Sequence, residues 1–520
     1  MGDADSGTYD PASGEIVITL SNSKAENVHA GQHLAAINAR TFFGRPDGGA
    51  KTQNSASDIT DDGDYALVGN DSCASAPSPT PTPTPSPSPS PSPSPSSTTV
   101  QFSSATYTAA EGVSSVSITV TRSGPSAGVS TVDYVVNNGS ATQRGDFTFA
   151  SGTVVFNAGE TSKTFPVLIS DDGYGEATEA ATVTLSNAAG ATIGSPSTAS
   201  LNITDNDNLA VEVNPIDDAA TFVGQHYHDF LNRQADSQGQ AYWTEQITSC
   251  GNNAACIDDR RANVSAAFFL SIEFQNTGYF AFRFYRASFV DSGPRPRGVP
   301  RYLEFLRDEQ TLQRNVVVGQ GSWEAMLEQN KVAFALDWVD RADFLAEYPT
   351  SLTRDQYIDK LFQRSGATPT TAERNQALSA YDSGGTLKEK RAKGIRAVID
   401  TGSVYNAQYN PAFVLMQYFG YMRRNPNNAP DSNYDGYDFW LAKMNQFSLP
   451  GEDMRDGNAA FARAKRAEMV KAFIVSTEYR GRFGGDSSRG QQAGSVALAQ
   501  PARNWGSDAV ISLVWSVGLV

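Results

Sequence analysis

Cysteine is scarce, three in 520 residues, too few for a disulfide-dense scaffold or a Cys-rich zinc module. Histidine is nearly as rare, at four, and no HExxH pair occurs. No apolar run approaches the ~20 residues needed to span a bilayer. Basic excess is missing as well: 40 Lys and Arg stand against 56 Asp and Glu, a formal net charge of −16. That excludes the basic face with which a nucleic-acid binder displaces counterions. No nucleophile elbow, phosphate loop, dinucleotide fingerprint or pair of catalytic carboxylates at helical spacing is found, so nothing reads as an enzyme. The chain opens Met1-Gly2-Asp3 without the basic and apolar regions of a secretion signal. It reads as a fragment whose upstream part, with any such signal, is missing. What these absences leave is a soluble, acidic protein of roughly three domains.

The acid is unevenly spread. Residues 1–76 carry 11 acids against 4 bases and residues 99–208 carry 10 against 3, whereas residues 209–520 are nearly balanced at 35 against 33. Between the first two lies a run with proline at every second position from Pro77 to Pro95, ten of the 26 prolines. Proline lacks a donor and fixes φ, so this run excludes ladder and helix interior. Residues 77–98 are expected to be a polyproline II spacer at ~3.1 Å per residue, up to roughly 60 Å long; no basic residue flanks it to anchor a proline-recognition domain. Upstream, Glu15–Leu20 and Tyr65–Val68 read as strands, the C-terminal part of a β-domain. Asp58, Asp61, Asp62 and Asp64 around Gly63 lack EF-hand spacing and read as a solvated turn before an ion site.

Residues 99–208 alternate with a period of two. Val116, Ile118, Val120; Val132, Tyr134, Val136; Phe165, Val167, Ile169; and Ala199, Leu201, Ile203 each place an apolar set on one face. About seven short strands separated by turn residues predict an antiparallel β-sandwich. Its acids fall at strand ends. Asp171-Asp172 follow one strand and Asp205-Asn206-Asp207 another, Glu111 precedes the Val116 strand, and Asp146 follows the Val136 strand. Carboxylates gathered at one pole repel and raise one another's pKa unless a cation intervenes. Loop oxygens in flexible number suit calcium, and the segment has no His or Cys for zinc.

The stretches "AAEG" (109–112), "GDFTFASGTVVFNAGE" (145–160), "ISDDGYGEATEAATVTLSN" (169–187) and "LNITDNDN" (201–208) resemble a Calx-beta domain, the sandwich of sodium–calcium exchangers and many bacterial surface proteins. The resemblance covers about 110 residues. It implies Ca2+ ligands at Glu111, Asp146, Asp171, Asp172, Glu176, Glu179, Asp205 and Asp207. Asn206 stands where an acid is often found, which implies a weaker or missing ion site.

From about residue 217 the period turns helical. "FVGQHYHDFLNR" (222–233) and "FVLMQYFGYMRR" (413–424) share Phe-Val, a Tyr five residues after the Phe, and a closing Arg, which predicts an all-α region with an internal duplication, 217–300 and 410–484, joined by a helical connection 301–409. "FVGQHYHDFLNRQADSQGQAYW" (222–243) and "AAFFLSIEFQNTGYFAFRFYRASF" (266–289) resemble a bacterial domain of unknown function that recurs in extracellular and repeats-in-toxin proteins. Nine aromatics within 268–289 read as helical core before a sugar platform. His226 and His228, two apart, face different ways and make a poor metal pair. Cys250 and Cys256 flank a flexible loop suited to a disulfide in an oxidising compartment, which leaves Cys73 over. In the tail 485–520, "AVISLVWSVGLV" (509–520) is too short to span a membrane and reads as a strand or partner contact. Together these readings predict a bacterial calcium-binding, non-catalytic protein of the cell surface or outside, working in adhesion or matrix building, with a protein or glycan partner, no nucleic acid and no transmembrane segment. The alternative is the accessory region of a secreted hydrolase whose catalytic domain lies upstream.

Overall fold

The computed structural model describes residues 97–207 and 214–485, and the backbone of six short strands between Ser6 and Ala66. Cys73, the side chains of the Asp58–Asp64 run, the proline run and residues 509–520 lie outside the described residues. Two compact units divide the chain, residues 1–92 and 93–520, each taken by itself. In the first, β1 (Ser6–Asp10) pairs antiparallel with β2 (Glu15–Thr19). Four more strands, β3 (His33–Ile37), β4 (Arg40–Phe42), β5 (Ala56–Ile59) and β6 (Gly63–Ala66), pair β3 with β6 and β4 with β5, both antiparallel.

The second unit begins with the sandwich. Its strands are β7 (Thr99–Phe102), β8 (Thr106–Ala110), β9 (Ser115–Ser123), β10 (Ser130–Asn137), β11 (Ser151–Phe156), β12 (Ser162–Leu168), β13 (Glu179–Ala189), β14 (Thr192–Ile193) and β15 (Thr198–Thr204). One sheet runs β11-β10-β13-β15-β8, the other β12-β9-β7-β14. Alternation delivers the inner faces: Ile118, Val120, Val132, Val136, Phe165, Val167, Val183 and Leu201 are all buried in one core. Two details differ from the sequence expectation. There are nine strands, because residues 99–110 switch sheets at 103–105, giving β7 to one and β8 to the other, and because the two-residue β14 pairs alongside β7. These extra strands pair parallel, β14 with β7 and β15 with β8, while the other pairings in the sandwich are antiparallel.

The two poles of the sandwich are chemically opposite. At one, buried Arg122 at the end of β9 donates to the carbonyl oxygens of Gly128 and Asn157, each at 2.8 Å. The other pole, where β8, β12 and β15 end and β13 begins, carries the carboxylates.

Helices fill residues 219–480. Many open on caps that satisfy free N–H groups of the first turn: Asp218 accepts from the Ala220 and Thr221 amides at 2.9 Å ahead of α1 (Ala219–Leu231). Thr353, Thr370 and Thr386 each form a capping box with a Gln or Glu three residues on. After α2 (Ser237–Thr248), the end of α3 (Ala254–Leu270), the short α4 (Ile272–Asn276), α5 (Gly278–Ser288) and its C-cap Phe289 bury all nine aromatics of 268–289. The two Phe-Val segments touch: the Phe230 and Tyr421 rings lie 5.3 Å apart. Helix Gly402–Met416 continues into a π-helical turn, Gln417–Tyr421. There Gly420 lies against the Phe230 ring so closely that a Cβ would sit 2.6 Å from it. No described helix is long and apolar enough to cross a membrane.

Candidate metal centre

Topology brings distant acids together. Parallel pairing of β8 with β15 sets Ala110 beside Thr204, and the Glu111 amide donates to the Thr204 carbonyl oxygen at 2.9 Å. The next residues on the two strands, Glu111 and Asp205, therefore leave the sheet side by side. Antiparallel pairing of β13 with β15 sets Glu179 against Ile203 at the same end. Asp146 arrives on the β10–β11 loop, and Asp171, Asp172 and Glu176 on the β12–β13 connection.

Six of the eight predicted acids form two groups whose ligand atoms lie within 4.8 Å of one another: Glu111, Asp146, Asp172 and Glu176, then Glu111, Asp205 and Asp207. Glu111 belongs to both. Glu179 joins Glu111, Asp146, Glu176 and Asp205 in lining a small pocket of about 10 Å³, room for about one water-sized sphere. Asp171 is the outlier. It accepts from Asn206 Nδ2 at 3.3 Å and sits in the wall of a separate cleft of about 440 Å³ between the sandwich and α1 and α2.

The loops are stiffened by their own carboxylates. Asp172 accepts from the Tyr174 amide at 2.8 Å, and Asp205 from the amides of Glu176 and Asp207 at 2.6 and 2.8 Å. Glu111, Asp146 and Asp172 are buried. None of the eight forms an ion pair among the described residues, and Asp207 Oδ2 is buried without a hydrogen-bond partner. Two unit charges ~5 Å apart repel by about 3 kcal/mol at an effective dielectric constant of ~20, so a fully ionised cluster cannot stand uncompensated. Protons supply the compensation. Burial, then Asp172, Asp171, Glu176 and Asp205, push Glu111 up to about 9. Burial and neighbouring carboxylates push Asp172 and Glu179 each up to about 7, and Glu176 and Asp207 move upward for the same reasons.

A cation in place of those protons fits this donor set. The donors are hard oxygens only, and all but Glu179 sit on loops, whose flexible geometry suits calcium better than the strict octahedron of magnesium. The two described histidines of this unit lie elsewhere: His226 is sealed between the Phe222 carbonyl oxygen and Ser265 Oγ, at 2.7 and 2.6 Å, and His228 lines the larger cleft with its Nδ1 unpartnered. Cys250 and Cys256 are joined in a disulfide between α2 and α3. Sequence patterns gave no sign that this pole abuts the helices. Arg144 pairs with Glu478, and Tyr174 Oη donates to the Gly481 carbonyl oxygen at 3.2 Å.

Residues 95–207 match the Calx-beta domain and residues 214–278 a domain of unknown function, DUF4214. Sodium/calcium exchanger 1 of Mus musculus is 33% identical over 129 residues, 21% of this chain and 13% of the exchanger. Sodium/calcium exchanger 3 of Homo sapiens is 40% identical over 89 residues, 17% and 10% of the two chains. Among solved structures, the apo-form Calx CBD1 domain is 26% identical with a TM-score of 0.21, covering 22% of this chain and 100% of that one. The calcium binding domain CBD12 of CALX1.1 is 25% identical with a TM-score of 0.21, covering 22% and 49%. The chain thus spans about an eighth or less of the length of these exchangers.

Proposed function

We propose that this protein is a non-catalytic, calcium-binding component of the bacterial cell surface or its surroundings, acting in adhesion or matrix building. The observation that carries the calcium reading is the convergence of carboxylates from four separate loops on one pole, none of them paired with a Lys or Arg among the described residues. Glu111, Asp146, Asp172, Glu176 and Glu179 are the ligands of one ion, and Glu111, Asp205 and Asp207, with Asp171 turning inward from Asn206, those of a second. Bound calcium neutralises the cluster and ties together loops that otherwise repel. An extracellular setting is supported by the Cys250–Cys256 disulfide, since such bonds persist in oxidising compartments. The proline run, expected from its sequence to act as a spacer, and a protein or glycan partner complete the adhesive reading.

Calorimetric titration of the full chain with calcium tests it. Binding is expected in the wild type and a loss of at least the first site in Asp171→Ala with Asp172→Ala. Absence of heat and of any change in melting temperature on adding calcium refutes the site.

A further inference from the structure

Arg423 belongs to the helical region, is 2% exposed, and follows the π-helical turn Gln417–Tyr421 with φ at 48°. A non-glycine residue holds that left-handed conformation only where its surroundings fix it, and what fixes Arg423 lies on the sandwich. Its Nη1 donates to the carbonyl oxygens of Gln143 and Phe147 at 3.2 and 3.1 Å and to Ser170 Oγ at 3.3 Å; Nη2 donates to Thr148 Oγ1 at 2.8 Å. Nε turns back to Asp229 Oδ1 at 3.0 Å.

These acceptors have one thing in common. Gln143, Phe147 and Thr148 belong to the loop that presents Asp146. Ser170 immediately precedes Asp171 and Asp172, and its amide donates to the Asp146 carbonyl oxygen at 2.9 Å. A single planar fork thus holds both loops that between them supply four of the acids, Asp146, Asp171, Asp172 and Glu176. Buried charge makes the grip mutual: Asp229 sits between Arg423 and Arg482 at 3.0 and 3.2 Å, leaving one positive charge in excess that the sandwich loops solvate.

We propose that Arg423 is a positioning residue for the calcium site, so that ion binding at the sandwich pole and docking of the helical region are one linked equilibrium. This rests on the reading of the pole as a calcium site. The charges that chiefly displace the titration of the carboxylates are one another's, so Arg423 acts through the backbone it holds. A pre-ordered loop loses less freedom when the ion binds, and by linkage the ion tightens the docking by the same factor.

Calcium titration of the full chain, wild type against Arg423→Lys, Arg423→Met and Thr148→Val, tests the linkage. Arg423→Lys keeps the charge and loses the fork; with Arg423→Met it is expected to raise the calcium dissociation constant about tenfold, and Thr148→Val about threefold. Calcium is also expected to slow amide hydrogen exchange across residues 417–422 in the wild type but not in Arg423→Lys, an effect that a packing role alone does not produce. Should Arg423→Met lose its helical circular dichroism, Thr148→Val, which leaves Asp229 paired, decides the matter. Wild-type affinity in Arg423→Lys and Thr148→Val overturns the linkage and leaves the calcium site standing. No binding by the wild type overturns the site and the linkage with it.

Discussion

Glu111, pushed up to about 9 by burial and then by its acidic neighbours, holds its proton at pH 7, while Asp172 and Glu179, each pushed up to about 7, are close to half ionised. Calcium takes carboxylates in their ionised form, so binding at pH 7 is expected to release roughly two protons. Calorimetry in buffers of different protonation enthalpy counts them, and the release should shrink as the pH approaches 9. The sign for stability follows. Each of these acids binds its proton more tightly in the folded than in the unfolded chain, so stability falls as pH rises through the folded values. Between pH 7 and 8, above the range in which buried His226 and His228 titrate, the calcium-free protein should therefore lose melting temperature, and saturating calcium should abolish the loss. The acids themselves were legible in the sequence because they sit at strand ends. Asn206 was legible only as a lost ligand, whereas here it is the donor that holds Asp171. Arg423 was not legible at all: its partners on the sandwich lie more than 250 residues upstream, and no local pattern marks an arginine that will be buried in another domain's loops.

At the scale of elements, period-two alternation and helical spacing placed the sandwich and the helices, because burial of one face is a local demand on sequence. The chain's crossing between sheets at 103–105 escaped that reasoning, since no Gly, Pro or Asn between β7 and β8 marks a break in the chain. Yet this crossing creates the β8–β15 pairing and thereby sets Glu111 beside Asp205. The disulfide is a case where spacing was informative, for Cys250 and Cys256 close a loop with a separation of six residues. A ring that short removes little unfolded-chain entropy, about 2 kcal/mol. Cys250→Ser with Cys256→Ser is expected to lower stability by about that amount in denaturant titration and to leave calcium affinity unchanged. A much larger loss would mean that the α2–α3 connection depends on the bond for its fold.

For the second unit as a whole, the decisive fact is that its two parts share groups. Phe149 of the sandwich belongs to the hydrophobic core of the helices, Gln310 accepts from the Ser151 amide at 3.1 Å and donates to the Phe149 carbonyl oxygen, and Arg424 and Arg144 converge on Glu478. Separating sandwich from helices would expose an aromatic ring and strand several buried polar groups, so the two are expected to unfold together. The sequence supplies a probe for this. All six tryptophans lie beyond residue 208, and four of them, Trp243, Trp323, Trp338 and Trp440, sit in described helices, so their fluorescence reports on the helical half, whereas the carboxylates lie wholly in the sandwich. A ligand at one hundred times its dissociation constant stabilises the folded state by about 2.7 kcal/mol. Spread over a cooperative unit of this size, that is a rise of about 3 °C in melting temperature. If sandwich and helices form one cooperative unit, the tryptophan transition of the full chain should move upward by that amount on saturation with calcium. If they unfold independently, calcium will leave the tryptophan transition where it was, however tightly the sandwich holds the ion.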